Sequence, residues 1–143
     1  MPPADNNHIQ SAWKIIPHFH SSNIQATVHF YTTILGFTIG GIHTDDQSGE
    51  QQATFCSLFA GDKAAANIYF SSTVNPSSAW VALGTEELDE FYRVLKAGGE
   101  AEIVEELGDK EWGYRQFGIR DGDGNRVTFF KFLEGGNPGV EGE

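Results

Sequence analysis

The stretch from Trp112 to Phe130 constrains the fold of this chain more than any other. Two segments rich in aromatic and β-branched residues, Tyr114 to Arg120 and Arg126 to Leu133, flank Asp121-Gly-Asp-Gly-Asn125. Glycine and asparagine enter the left-handed backbone region cheaply, and aspartate side chains bond to neighbouring backbone, so the pentapeptide is a tight turn. Phe117, Ile119, Val127, Thr128 and Phe129 suit pleated, half-buried strands, and the whole predicts an antiparallel hairpin. The turn opens like a calcium loop. However, Arg126 stands where that loop needs glycine, and Phe132 where it needs its bidentate glutamate.

The rest of the chain divides into two similar halves. In the first, residues 15–21 read as a strand and Asn23 as a helix N-cap. Ile24, Val28, Tyr31, Ile34 and Leu35 then recur at helical spacing until Gly36. Strands follow over residues 38–43, 53–59 and 64–71, with a polar acidic loop at 45–51. The Val74-Asn-Pro-Ser-Ser78 stretch is the natural linker. The second half repeats the order. A strand at 80–83 precedes a helix capped by Thr85, carrying Leu88, Phe91, Tyr92 and Leu95 on one face and stopped at Gly98-Gly99. Glu86 and Glu87 in its first turn complement the helix dipole. Strands at 100–106, 114–120 and 126–133 finish the module. Phe30-Tyr31 and Phe91-Tyr92 occupy matching places in the two helices, the visible trace of a duplication. Module one spans about 15–73 and module two about 78–133, with polar tails at 1–12 and 134–143, although Trp13 is a candidate to dock the first tail.

Three segments in this order carry a family resemblance. Trp112-Gly-Tyr-Arg-Gln-Phe together with Asp121-Gly-Asp-Gly-Asn125 resembles the closing hairpin of the vicinal-oxygen-chelate superfamily, which includes glyoxalase I, bleomycin-resistance proteins and extradiol dioxygenases. His29-Phe-Tyr-Thr-Thr-Ile-Leu-Gly-Phe37 is similar to its first helix, and Ser78 to Gly99 to the strand and helix of its second module. The resemblance implies an α+β fold of two βαβββ modules, forming one curved, incompletely closed mixed sheet around a cavity, often completed in a homodimer.

The resemblance also locates where metal-using members place their ligands, usually His or Gln, Glu, His or Gln, and Glu. Aligned on the helices and hairpin, those positions fall at Ile16, within residues 64–71, at Trp80 and at Thr128. The 64–71 strand holds neither carboxylate nor histidine. A divalent ion needs several such donors converging. The expectation is therefore no metal, no other cofactor, and none of the metal-dependent chemistry of the family.

His18 and His20 lie two residues apart, so they share one face of their strand. With Ile16 facing inward, both look into the cavity. They are candidate acid–base groups, since histidine ordinarily titrates near neutral pH. The alternatives are a small metal centre, which lacks a third donor, and a purely structural pair. Trp80, at a ligand position, would line the cavity wall. Thr128 follows it there, and Trp112 sits on a rim loop. Phe55, Asn67 and Tyr69 are further candidate ligand contacts whose facing a one-residue slip would reverse.

Twenty acidic against nine basic residues give a net charge of −11. Nucleic-acid binding works by lysine and arginine displacing counterions, so no nucleic-acid partner is expected. No apolar run reaches the roughly 18 residues of a membrane span, so no membrane partner is expected either. The single cysteine, Cys56, cannot form an internal disulfide, which fits a cytoplasmic protein. Two functions remain open. One is metal-independent binding of a small aromatic or hydrophobic molecule, like the bleomycin-resistance proteins. The other is a metal-independent isomerase, cyclase or lyase using His18 and His20. The segment 102–112 is a candidate lid.

Overall fold

The computed structural model describes residues 10–45, 52–62, 65–84 and 87–137. Module one comprises β1 (His18–His20), α1 (Ile24–His29), β2 (Thr38–Asp45), β3 (Gln52–Ala60) and β4 (Ala66–Ser71). Module two comprises β5 (Ser78–Ala82), α2 (Glu87–Gly98), β6 (Glu102–Asp109), β7 (Tyr114–Arg120) and β8 (Arg126–Phe132). The expected α+β class and the doubled βαβββ order are present. Each module builds its own four-stranded mixed sheet, in the orders β1-β4-β3-β2 and β5-β8-β7-β6, and neither closes into a barrel. In both, the first strand runs parallel to the last, while the other pairs are antiparallel.

Local chemistry sets the helix ends. Asn23 accepts a hydrogen bond from the Ala26 amide at 3.0 Å, satisfying a donor the first turn leaves open. From Phe30 to Ile34 the helix widens to π winding, with the Leu35 amide bonding back to the Phe30 carbonyl. Gly36 then ends it at φ +83°, a conformation costly for residues with a Cβ. The proposed Thr85 cap and most of the 45–51 loop lie outside the described residues.

Each helix covers one face of its sheet. Phe19, Cys56, Leu58, Ile68 and Phe70 meet Tyr31, Leu35 and Phe37 in module one, while Val81, Phe117, Ile119, Val127 and Phe129 meet Leu88 and Leu95 in module two. All belong to one buried cluster. Each large side chain removed from water contributes about 1.5–3 kcal/mol.

The hairpin turn joins the modules. Asp121 folds the turn by accepting the Asp123 and Asn125 amides on Oδ1, and its Oδ2 accepts the Tyr31 hydroxyl at 2.8 Å. Asn125, fully buried, accepts from the His20 and Ser77 amides and donates to the His20 carbonyl. Asp123 accepts from the backbone and hydroxyl of Ser22. These bonds hold the end of β1 beside the start of β5.

Two local expectations change. Strand β1 begins at His18, so residues 15–17 are not strand, although the Pro17 carbonyl still accepts the Tyr69 amide at 3.0 Å. Trp13 is 78% exposed, and among the described residues its ring meets only the Lys14 ammonium, at 5.5 Å, so it is not docked on them.

Candidate functional site

Alternation along the strands fixes which side chains leave the helix-covered face. In module one, Phe19, Cys56 and Phe70 turn toward α1, so their neighbours His18, His20, Phe55, Ser57, Asn67, Tyr69 and Ser71 share the opposite, open face. In module two, Val81, Phe117 and Phe129 turn toward α2. Ser78, Trp80, Tyr114, Gln116, Gly118, Arg126, Thr128, Phe130 and Phe132 therefore share the open face.

The first open face is polar and largely self-satisfied. His18 Nε2 lies 2.8 Å from the Ser71 hydroxyl, which in turn lies 2.8 Å from the Thr73 hydroxyl. His20 Nδ1 donates to the Val74 carbonyl at 2.8 Å, which fixes the proton on that nitrogen and leaves Nε2 as an acceptor. The rings of His18, Phe55 and Tyr69 form an edge-to-face series with centroids 6.3 and 5.0 Å apart. Asn67 is buried. It donates to the Ser57 hydroxyl and the Leu58 carbonyl and accepts from the Lys14 ammonium.

The second open face is aromatic. Trp80 contacts Tyr114 and Phe130 at centroid distances of 6.1 and 5.7 Å, Tyr114 stacks on Phe130 at 4.9 Å, and Phe132 joins both. Trp80 remains 52% exposed and Phe132 37% exposed, so this cluster is not finished core. Thr128, opposite both Trp80 and Gly118, is buried beside the cluster.

Charged and amide groups flank the aromatic cluster on the β6 side. Glu105, opposite Gly118 on β6, accepts from Gln116 Nε2 at 3.1 Å, from Arg126 Nη2 at 2.5 Å and from Lys110 Nζ at 3.0 Å. Gln116 Oε1 accepts the Trp112 indole N–H at 3.0 Å, which ties the rim tryptophan to this network. The Arg126 guanidinium lies across Gly118, where a Cβ would come within 2.9 Å of Nη2.

The predicted residues thus separate into two groups. His18, Phe55 and Tyr69 are in contact, and Asn67 shares their face. Trp80 and Thr128 adjoin, and Trp112 reaches the same face through Gln116. Asn67 and Trp80 also line a cleft of about 450 Å³ with Ile15 and Pro17, along the junction of the sheets. Glu105, Lys110, Tyr114, Gln116, Arg126, Phe130 and Phe132 were not singled out in the sequence. Four of them follow from Thr128: Arg126, Phe130 and Phe132 share its parity on β8, and Gln116 lies beside its partner Gly118 on β7.

The segment proposed as a lid is mostly regular strand. Residues 102–109 form β6, hydrogen-bonded to β7. A second space of about 420 Å³ lies on the helix side between the modules, lined by Leu35, Phe37, Leu83, Phe91, Val94 and Phe129. Its walls are almost wholly apolar, and only Glu87 and Glu90 at its margin bring polar side chains. Among the described residues, no group of three or more His, Cys, Asp or Glu side chains is placed to hold a metal ion. No helix among them is long and apolar enough to cross a membrane.

Buried titratable groups belong to the core and not to the open faces. Burial, followed by the Asp121 carboxylate, pushes the Tyr31 phenol far above its usual range. Burial pushes the Cys56 thiol up to about 11. On the surface, the Arg115 guanidinium binds Asp89 in a bidentate pair at 2.8 Å and holds that carboxyl below its usual range.

The fold has solved counterparts. A glyoxalase-related enzyme from Clostridium phytofermentans is 18% identical with a TM-score of 0.69, covering 87% of this chain and 98% of its own. TnmS3, an antibiotic-binding protein from Streptomyces sp. CB03234, is 16% identical with a TM-score of 0.68, covering 87% and 99%. TioX from Micromonospora sp. ML1 is 21% identical with a TM-score of 0.63, covering 85% and 100%. No curated protein matches the chain. The sequence pattern of one family matches residues 15–129, most of the chain, and on that match the protein belongs to the Glyoxalase/Bleomycin resistance protein/Dioxygenase superfamily.

Proposed function

We propose that the protein binds a small, planar aromatic or hydrophobic molecule on the open face of its second sheet, without a metal ion. The observation that carries this reading is the partly exposed cluster of Trp80, Tyr114, Phe130 and Phe132 beside the Thr128–Gly118 pair. Aromatic faces with a few converging polar groups are the usual lining of small-molecule sites. The apolar space on the helix side lacks such convergent groups. TnmS3, described as an antibiotic-binding protein, shares this fold and supports a binding role.

The side chains at the expected ligand positions do not fit a divalent metal. Trp80 and Thr128 are partners across β5 and β8 and together offer one neutral hydroxyl. A second copy of the chain would cover the exposed aromatic face and complete the site as a homodimer, and a cytoplasmic setting suits the single buried thiol. The test is titration of the EDTA-treated protein with a panel of planar aromatic compounds, followed by tryptophan fluorescence. Saturable quenching that Trp80→Ala abolishes is the expected result. Absence of binding until zinc or another divalent ion is restored would overturn it.

One observation favours the enzymatic alternative. The Val74 carbonyl accepts from His20 Nδ1 and so orients the ring for proton transfer at Nε2. In that reading His18 and His20 move protons in an isomerisation, cyclisation or elimination.

A further inference from the structure

We infer that the aromatic face prefers planar aromatic anions, above all aromatic carboxylates, although the chain as a whole carries a net charge of −11. The inference rests on the binding role proposed for this face. Its basis is the local charge beside the aromatic cluster. Glu105 is shared by two cations, Arg126 and Lys110, and is saturated by them and by Gln116. The adjoining Arg120 stands opposite Arg126 and is matched by Glu102 at 3.1 Å. The cluster therefore carries one positive charge in excess: Arg126, Lys110 and Arg120 against Glu105 and Glu102.

The two cations also have spare donors. A guanidinium presents five N–H groups and an ammonium three. Among the described residues, the side chains of Arg126 and Lys110 have no polar partner besides Glu105. Gly118 leaves room for the Arg126 guanidinium to lie on the sheet, since any Cβ there would stand 2.9–3.3 Å from its atoms. Trp80, Thr128 and Gly118 lie opposite one another on β5, β8 and β7, strands about 4.8 Å apart, so the guanidinium over Gly118 is about 10 Å across the sheet from Trp80. A ring resting on Trp80 and Phe130 with its carboxylate turned toward β7 directs that carboxylate at the guanidinium. Arginine suits that role because its planar fork matches a carboxylate's two oxygens.

The test compares three probes of one shape, 2-naphthoate, 2-naphthylmethanol and 2-naphthylmethylammonium, by titration calorimetry on the full chain. The expected order is naphthoate tightest, by about tenfold or more over the alcohol, as a charge-assisted hydrogen bond implies, with the ammonium weakest. Arg126→Gln and, independently, Lys110→Gln should each shrink the naphthoate-to-alcohol ratio. Lys110 is not the side chain over Gly118, so its variant serves if Arg126→Gln perturbs folding. Equal binding of all three probes, or tightest binding of the ammonium, overturns the anion preference and leaves the aromatic site standing. If no probe binds and Trp80 fluorescence never responds, the binding role fails and this inference falls with it.

Discussion

The Tyr31 hydroxyl donates to the Asp121 carboxylate at 2.8 Å, joining the helix of module one to the hairpin turn of module two. The same carboxylate accepts the Asn125 side-chain amide at 2.9 Å, and Asn125 holds both the amide and carbonyl of His20. The turn is thus the joint between the modules as well as a reversal of chain. Tyr31→Phe should destabilise the protein by about 1–2 kcal/mol, the net worth of a buried hydrogen bond to a charged group. Asn125→Ala should cost more, about 2–4 kcal/mol, because it leaves several buried backbone groups unpaired. Urea unfolding measures both. An Asn125→Ala variant as stable as the parent would show that the modules are held by their apolar core alone.

Two buried acids predict an alkaline limit. Cys56, ordinarily near 9.0, is pushed up to about 11 by burial, and Tyr31 is raised further by burial and by the facing Asp121. Asp123 adds to the same field around Tyr31. Both groups are neutral in the fold, and their folded values lie above their unfolded ones. Their contribution is therefore complete below about pH 9 and is lost as the pH rises through the folded values. The urea midpoint should hold steady up to about pH 8.5 and then decline. The double variant Tyr31→Phe, Cys56→Ala should start less stable but decline less steeply between about pH 9 and 11. An equally steep decline would place the alkaline transition elsewhere.

Trp80 separates binding from stability. Its ring is half exposed and rests on Tyr114 and Phe130 without entering the core. Trp80→Ala should change stability by about 1 kcal/mol or less yet weaken an aromatic ligand by tenfold or more, given the large contact area an indole offers. Calorimetry and thermal unfolding on one preparation decide it. A large loss of stability with unchanged affinity would assign Trp80 to packing.

Much of the fold was legible because its signals are local. Asn23 caps, Gly36 and Gly99 stop their helices at positive φ, and Asp121 to Asn125 turn the last hairpin, each within a few residues of sequence. The facing of Phe55 and Tyr69 was not legible, since it depends on Cys56 and Phe70 meeting α1, a contact between distant segments. The sequence does not decide whether residues 102–112 form a lid. Register shifts between Ile103 and Glu105, and between Glu105 and Gly108, erase the period of two along β6. The charged side of the site was missed for the same reason, because Glu105 gains its meaning only opposite Gly118 and beneath Arg126. Trp13 is a candidate to dock the arm from sequence, and its ring is instead 78% exposed.

His18 and His20 distinguish the two functional readings. His18 bonds Ser71 and meets Phe55 at its ring edge, so His18→Ala removes a contact and leaves the Ser71 hydroxyl with Thr73. His20→Ala leaves the Val74 carbonyl without its side-chain donor. Each should cost about 0.5–2 kcal/mol of stability, small enough to leave the protein folded. If the protein only binds, both variants should retain affinity within about threefold, because the aromatic site lies on the other sheet, and incubation with a bound compound should release no product. If it catalyses a proton transfer, one variant should lower turnover by about 10²–10⁴-fold at nearly constant affinity, the usual contribution of a general acid or base. Mass spectrometry of bound compounds after long incubation with parent and variants reads the difference. Unaltered compound with every preparation would remove the histidines from any chemical role and leave them as supports of β1.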